Sequence, residues 1–319
     1  MATADQLKML IKAHFSGKDE QFRTAVLQIA AYESQQGHQK LGRELKSFLE
    51  KNSKPKSIVI SMNSNNELVA YTEANCRMND LVVSEDLRAR IERILQEFRQ
   101  REKLHRYGLA NRRKILLEGE PGTGKTMTAK VIATELGLPL YTIQMDKLVT
   151  KYMGETSLKL RQIFESIDSV LGIYLFDEFD AIGADRSLDT DVGEMRRVLN
   201  SFLQFIEQDT SESIIIAATN NRKMLDQALF RRFDDVLHYG LPTEQEITTL
   251  LKYKLSNSPI KIHITKEILH IAEQLSQAEI TRACEDFQKF AILSNNKVDQ
   301  QTLIRMLQDR VSAYGKINY

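Results

Sequence analysis

Apolar positions along this chain change rhythm twice. In the first 52 residues they recur in steps of three and four. Leu7, Leu10, Ile11 and Phe15 share one helical face, as do Phe22, Val26 and Ile29, and then Leu41, Leu45, Phe48 and Leu49. That spacing predicts amphipathic helices. Gly17 and Gly37 break the series, so three short helices are expected to form a small N-terminal domain over residues 1–52. The Lys-, Ser- and Asn-rich stretch from Lys51 to Asn66 opens a linker assigned to 53–79, with the apolar run Ile58–Met62 as a candidate strand.

Between residues 80 and 242 the pattern becomes continuous apolar runs: Ile115–Leu117, Leu140–Ile143, Ile173–Phe176, Ile214–Ala217 and Val236–Tyr239, with helical patterns between most of them. Strands that are apolar at every position are buried on both faces. Their alternation with helices predicts an α/β fold around a parallel five-stranded sheet. Residues 243–319 read as all-helical, opening on Ile247, Leu250, Leu251 and Leu255. No internal repeat is visible.

Composition narrows the class. The chain has 319 residues, 42% hydrophobic and 27% charged, ordinary for a folded globular protein. A formal net charge of +1 gives no global attraction to nucleic acid or anionic membrane. The basic cluster Arg99, Arg101, Lys103, Arg106, Arg112, Arg113 and Lys114 is interspersed with Glu97 and Glu102, which fits a helix face or subunit contact better than a nucleic-acid groove. No apolar run is long enough to span a bilayer. Asp5, Lys8, Lys12 and His14 interrupt any signal-peptide core. Cys76 and Cys284 are too few for a disulfide framework, and the six histidines show no metal spacing. A cytoplasmic protein is expected.

The chemistry concentrates at strand ends. Gly119-Glu120-Pro121-Gly122-Thr123-Gly124-Lys125-Thr126 follows a strand and opens a helix that runs on from Met127. Such a loop wraps backbone N–H groups around phosphate oxygens at a helix N-terminus. Lys125 is suited to the β- and γ-phosphates and the Thr126 hydroxyl to Mg²⁺, so ATP and Mg²⁺ are the expected ligands. The strand Ile173–Phe176 ends in Asp177 and Glu178. Seen alone, that pair also fits two solvated acids. Beside a phosphate loop, Asp177 is suited to hold Mg²⁺ and Glu178 to act as general base on water. Asn220 ends the Ile214 strand; it is a turn residue or an amide that orients water at the γ-phosphate. Arg231 and Arg232 read alone as solvated surface, or as arginine fingers given to a neighbouring subunit.

Taken together, these residues resemble the classical branch of the AAA ATPases, from about Asp80 to Ala291. Gly119–Thr126 matches that family's Walker A motif, with Glu120 where proline is usual. Ile173–Glu178 matches Walker B, Asn220 the sensor-1 asparagine, and Arg231 and Arg232 the two arginines of its second homology region. The compact Phe230-Arg231-Arg232-Phe233 is similar to the microtubule-severing and ESCRT-disassembly group. The single-module layout is similar to stand-alone bacterial AAA proteins. The resemblance implies a P-loop core, a C-terminal helical lid, and a nucleotide site formed by Gly119–Met127 with Ala278 of the lid. It implies a homo-oligomer, expected to be a hexamer. Lys151-Tyr152-Met153-Gly154 resembles the first pore loop, which would make Tyr152 and Met153 the grip on a protein substrate; alone, the aromatic could pack inward. A second pore loop is expected at 186–193. Two departures stand out: the usual Asp-Gly-Phe is replaced by Phe205-Ile206-Glu207-Gln208-Asp209, and the lid's Gly-Ala-Asp by Gln277-Ala278-Glu279. Arg282 reads as a surface residue.

The function this implies is an ATP-driven remodeller or unfoldase that threads protein through a ring, with the N-terminal domain docking a substrate or a partner such as a protease. An ATP-gated scaffold that regulates such a partner is the alternative. A DNA-binding loader is disfavoured because no basic helix-turn-helix or positive stripe is present.

Overall fold

The computed structural model describes residues 68–148, 153–179, 191–220, 230–256, 258–294 and 299–314, with 25–27, 29, 30, 32 and 38 near the N-terminus. The chain divides into two units, Met1–Asn63 and Ser64–Tyr319. In the first, Ala25, Val26, Ile29 and Ala30 are helical and buried. Most of the predicted N-terminal helices and the candidate strand Ile58–Met62 lie outside the described residues.

The second unit is built on one six-stranded sheet. Its strands are β1 (Val69–Thr72), β2 (Lys114–Gly119), β3 (Leu140–Ile143), β4 (Ile173–Phe176), β5 (Ile214–Thr219) and β6 (Asp235–Tyr239), in the order β1-β3-β4-β5-β2-β6. The expected five strands are parallel to one another. A sixth, β1, is added antiparallel at the edge, Val69 opposite Ile143, within residues read from sequence as linker. It is short and only half buried, as edge strands are: Leu68 and Val69 face the core, and Tyr71 is exposed.

Alternate residues of the sheet face opposite layers. Ile115, Leu117, Ile173, Leu175, Ile214 and Ile216 pack with α1 (Glu85–Arg99) and α3 (Lys125–Leu136). The intervening Leu116, Tyr174, Phe176 and Ile215 are equally buried. They lie on the face covered by α5 (Met153–Ser169) and α6 (Asp191–Gln208), the helices that follow α2 (Arg101–Arg106) and α4 (Met145–Leu148) around the sheet. There the Tyr174 hydroxyl donates to the carbonyls of Ser166 and Val170, both at 2.9 Å, and the Phe176 and Phe202 rings lie 5.0 Å apart. Both faces are covered, which is why these strands need no polar alternation.

The C-terminal helices α7 (Glu244–Lys254), α8 (Lys266–Ala272), α9 (Gln277–Leu293) and α10 (Gln300–Tyr314) close around their own cluster, which includes Ile247, Leu251, Ile268, Phe287 and Leu303. Thr243 and Glu246 form a capping box that starts α7, and Ser276 caps α9. Much of the basic cluster is neutralised within the chain. Arg112 pairs with Glu97, Arg113 with Asp209, Arg101 with Glu212 and Arg99 with Glu135.

Candidate active site

Parallel strands deliver their C-terminal ends to one edge of a sheet, and ligands of open α/β folds bind in the crevice outside that edge. Here β4, β5 and β2 are neighbours. Asp177 and Glu178 follow β4, Asn220 follows β5, and the glycine-rich loop follows β2. Sequence positions far apart therefore converge because of the strand order.

The loop is held from within. Lys125 is buried, and its Nζ donates to the carbonyls of Gly119 (2.9 Å) and Glu120 (2.7 Å). The Thr123 hydroxyl also donates to the Glu120 carbonyl at 2.7 Å. Residue 120 thus serves through its backbone oxygen, which explains how glutamate can stand where proline is usual. The Thr126 hydroxyl donates to Asp177 Oδ2 at 2.7 Å, joining the loop's helix to the acidic strand end. Asp177 Oδ1 accepts from the Glu178 backbone N–H at 3.0 Å. Glu178 is exposed and has φ of 50°, a left-handed conformation that is strained for a glutamate.

The helical domain closes over this edge. The Ala278 N–H donates to the Gly122 carbonyl at 3.0 Å. A cleft of about 530 Å³ lies between, lined by residues 121–127, Asp177, Glu178 and Asn220 on one side and by α7 and α9 on the other. Ala278, Thr281, Arg282 and Glu285 line it as one i, i+3, i+4, i+7 stripe of α9. Asp80, Leu81, Val82, Leu250 and Lys254 complete the cleft wall. Tyr253 on α7 donates its hydroxyl to Asp80 Oδ1 at 2.5 Å, tying the helical domain to the segment before α1. That hydrogen bond, with one from the Arg77 backbone, holds the Asp80 carboxyl below its ordinary range, and Asp80 in turn pushes the Tyr253 hydroxyl up.

Residues 115–241 match the family described as ATPase family associated with various cellular activities (AAA). The chain is 34% identical over 318 residues to an uncharacterized AAA family ATPase, y4kL, of Sinorhizobium fredii, covering 97% of this chain and 96% of that protein. The chain belongs to the AAA family. It is an ATPase. It is also 28% identical over 227 residues to a putative 26S proteasome regulatory subunit homolog of Methanothermobacter thermautotrophicus, covering 70% of this chain and 60% of that protein. It is 33% identical over 192 residues to the ATP-dependent zinc metalloprotease FtsH of Lactococcus lactis, covering 58% of this chain but 28% of that protein. What it shares with these larger relatives is therefore the AAA module.

Of the residues read from sequence, Pro121 to Met127, Asp177, Glu178, Asn220 and Ala278 all line the AAA cleft. Gly119 and Glu120 stand behind it, their carbonyls accepting from Lys125. Arg231 and Arg232 are not among the lining residues. Arg282, expected at the surface, is exposed and bonded to Glu279 at 2.8 Å, yet it also sits on the cleft wall. Tyr152 and most of the expected second pore loop lie outside the described residues; Met153 opens α5. The sequence reading missed Leu81, Val82, Leu250, Lys254 and Tyr253. The α9 stripe was within reach, because placing Ala278 in the cleft implies Thr281, Arg282 and Glu285 by helical spacing.

The Tyr253–Asp80 bond yields a direct expectation. Tyr253→Phe removes a hydrogen bond worth about 0.5–1.5 kcal/mol. If that bond holds Leu81 and Val82 against the nucleotide, ATP affinity measured by calorimetry falls about two- to tenfold. An unchanged dissociation constant would show that the bond does not support binding.

Proposed function

We propose that this protein is a Mg²⁺-dependent, ring-forming AAA motor, expected to be a cytoplasmic hexamer, that pulls a protein substrate through its central pore. The observation that supports the ring is the position of the two adjacent arginines. One chain assembles a lysine, acids and an amide around the cleft, while Arg231 and Arg232 lie outside it and Arg231 is exposed. A neighbouring subunit's arginine would complete the site.

Hydrolysis then follows from this chain's groups. Lys125 exchanges its carbonyl partners for the β- and γ-phosphate oxygens. Asn220 orients a water, and Glu178 takes its proton as the oxygen attacks the γ-phosphorus. The bond from that phosphorus to the bridging oxygen breaks, leaving ADP and phosphate. Thr126 and Asp177 fit a hard cation: their oxygens lie 2.7 Å apart. Mg²⁺ prefers few protein ligands, completed by phosphate and water. When bound there, Mg²⁺ would neutralise phosphate charge. Arg231 would stabilise the transition-state charge of the neighbour's nucleotide.

The pulling role draws on Tyr152 and Met153 as a substrate-gripping pore loop. It draws also on relatives whose names place AAA modules in proteasome regulation and ATP-dependent proteolysis. The N-terminal domain would dock a substrate or a protein partner such as a protease. The test uses full-length protein with casein as a model unfolded substrate. A threading motor shows casein-stimulated ATP turnover, and Tyr152→Ala abolishes the stimulation. If casein has no effect, or if Tyr152→Ala responds to it as wild type does, threading is wrong and the ATP-gated scaffold becomes the better reading.

A further inference from the structure

The two adjacent arginines before β6 are held very differently. Arg232 Nη1 pairs with the Glu207 carboxylate and donates to the Leu203 carbonyl at 3.2 Å, both in the last turns of α6. The residues that follow are fastened as well. Phe233 is buried. Asp234 Oδ2 accepts from the backbone N–H groups of Arg113 and Lys114, each at 2.9 Å, and the Asp234 N–H donates to the Lys114 carbonyl at 2.8 Å. The Arg113 guanidinium grips Asp209, just past the end of α6. Residues 232–234 are thus clamped to the end of α6 and the start of β2. Arg231 is exposed at the edge of the clamped segment.

We propose that the pair divides its labour. Arg231 is the guanidinium delivered to the neighbouring subunit's nucleotide. Arg232 is a positioning residue, locked within its own subunit by Glu207, that fixes where Arg231 points. This rests on the ring reading above and adds an assignment to it. A guanidinium already engaged by a carboxylate and a carbonyl is poorly placed to reach across an interface, whereas a misplacement of about 1 Å at a catalytic group can cost up to 10²-fold in rate. The clamp also explains one departure from the family pattern. Glu207 stands in the altered Phe205–Asp209 segment, where it supplies the acid that Arg232 needs. Because α6 leads directly into β5, and β5 ends at Asn220, the lock ties the arginine loop to an element of its own subunit's nucleotide site.

The experiment measures kcat and KM for ATP on full-length protein at a concentration that permits assembly. Arg231→Ala should lower kcat about 10³-fold, in the range for loss of an arginine finger, with little change in KM. Arg232→Ala and Glu207→Gln should each lower kcat about tenfold, and the double variant should be no worse than either single, because both break one lock. The charge-exchanged pair Arg232→Glu with Glu207→Arg should recover most of the loss. Glu207→Gln alters one exposed side chain, so misfolding cannot account for its effect. If Arg232→Ala falls as far as Arg231→Ala while Glu207→Gln is silent, both arginines touch nucleotide and the division of labour is wrong. If instead Arg231→Ala keeps full turnover, the ring reading itself fails.

Discussion

Glu178→Gln should stop ATP turnover while leaving ATP bound. Loss of a positioned general base costs about 10²–10⁴ in rate, and glutamine keeps the size and reach of the side chain but cannot take a proton. Ground-state affinity should be nearly unchanged, because the Lys125 and phosphate-loop contacts are untouched. The backbone here makes the expectation sharper. Glu178 carries a left-handed φ of 50°, which costs about 1–3 kcal/mol unless its surroundings impose it. They do: Phe176 and Phe179 on either side are buried, and Asp177 Oδ1 accepts the Glu178 N–H. A backbone held in strain between two anchored rings fixes the direction in which the side chain leaves it. Glutamine at the same position inherits that direction, so the variant tests chemistry and not placement. Phosphate release reads the rate. A thermal melt reads the trapped nucleotide, since ATP at a hundred times its dissociation constant stabilises by about 2.7 kcal/mol. Wild-type turnover in the variant would remove Glu178 from the mechanism.

What sequence made legible, and what it did not, follows from where each signal is stored. The parallel strands, the loop at Gly119–Thr126 and the acids after β4 were readable because each is written in consecutive residues with one local meaning. The edge strand Val69–Thr72 was not. It is four residues long, has one buried position, and follows a polar stretch, so nothing local separates it from linker. The rest of the cleft wall was hidden for another reason. Leu81, Val82 and Leu250 are apolar, and an apolar residue reads as core whether it faces protein or ligand; only the closure of α7 over the sheet edge distinguishes them. The two arginines were indistinguishable because the residue that separates their roles, Glu207, lies 25 residues upstream, on the other side of β5. The partners of the basic cluster were only partly visible: its local acids could be read, but Asp209 and Glu212, which pair with Arg113 and Arg101, are about a hundred residues distant.

Gly119→Ala should be the most damaging glycine-to-alanine change among the described residues. Gly119 ends β2 opposite Tyr239 of β6, with φ of 148°. A Cβ there would stand 2.0 Å from the Tyr239 carbonyl oxygen and 2.7 Å from its Cβ. Neither atom is the flexible end of a side chain, so relief requires β2 and β6 to part. The damage would spread along hydrogen bonds. The Gly119 carbonyl anchors Lys125, and the Tyr239 hydroxyl donates to Thr128 at 2.7 Å, whose own hydroxyl donates to the Gly124 carbonyl at 3.1 Å. Moving the Gly119–Tyr239 contact therefore disturbs the phosphate loop from both ends. Overpacking a rigid site costs about 1–3 kcal/mol, and a residue forced to positive φ adds about 1–2 more. A loss of roughly 3 kcal/mol or more in urea unfolding is expected, together with an ATP affinity reduced at least a hundredfold. Gly137→Ala is the control. Gly137 also has positive φ, 65°, but a Cβ there meets nothing within 4 Å. It should lose only the backbone cost of about 1–2 kcal/mol and bind ATP as wild type does. If Gly119→Ala were no worse than Gly137→Ala, the strand contact would not be what seats the loop, and the path from Tyr239 through Thr128 to the phosphates would have to be abandoned.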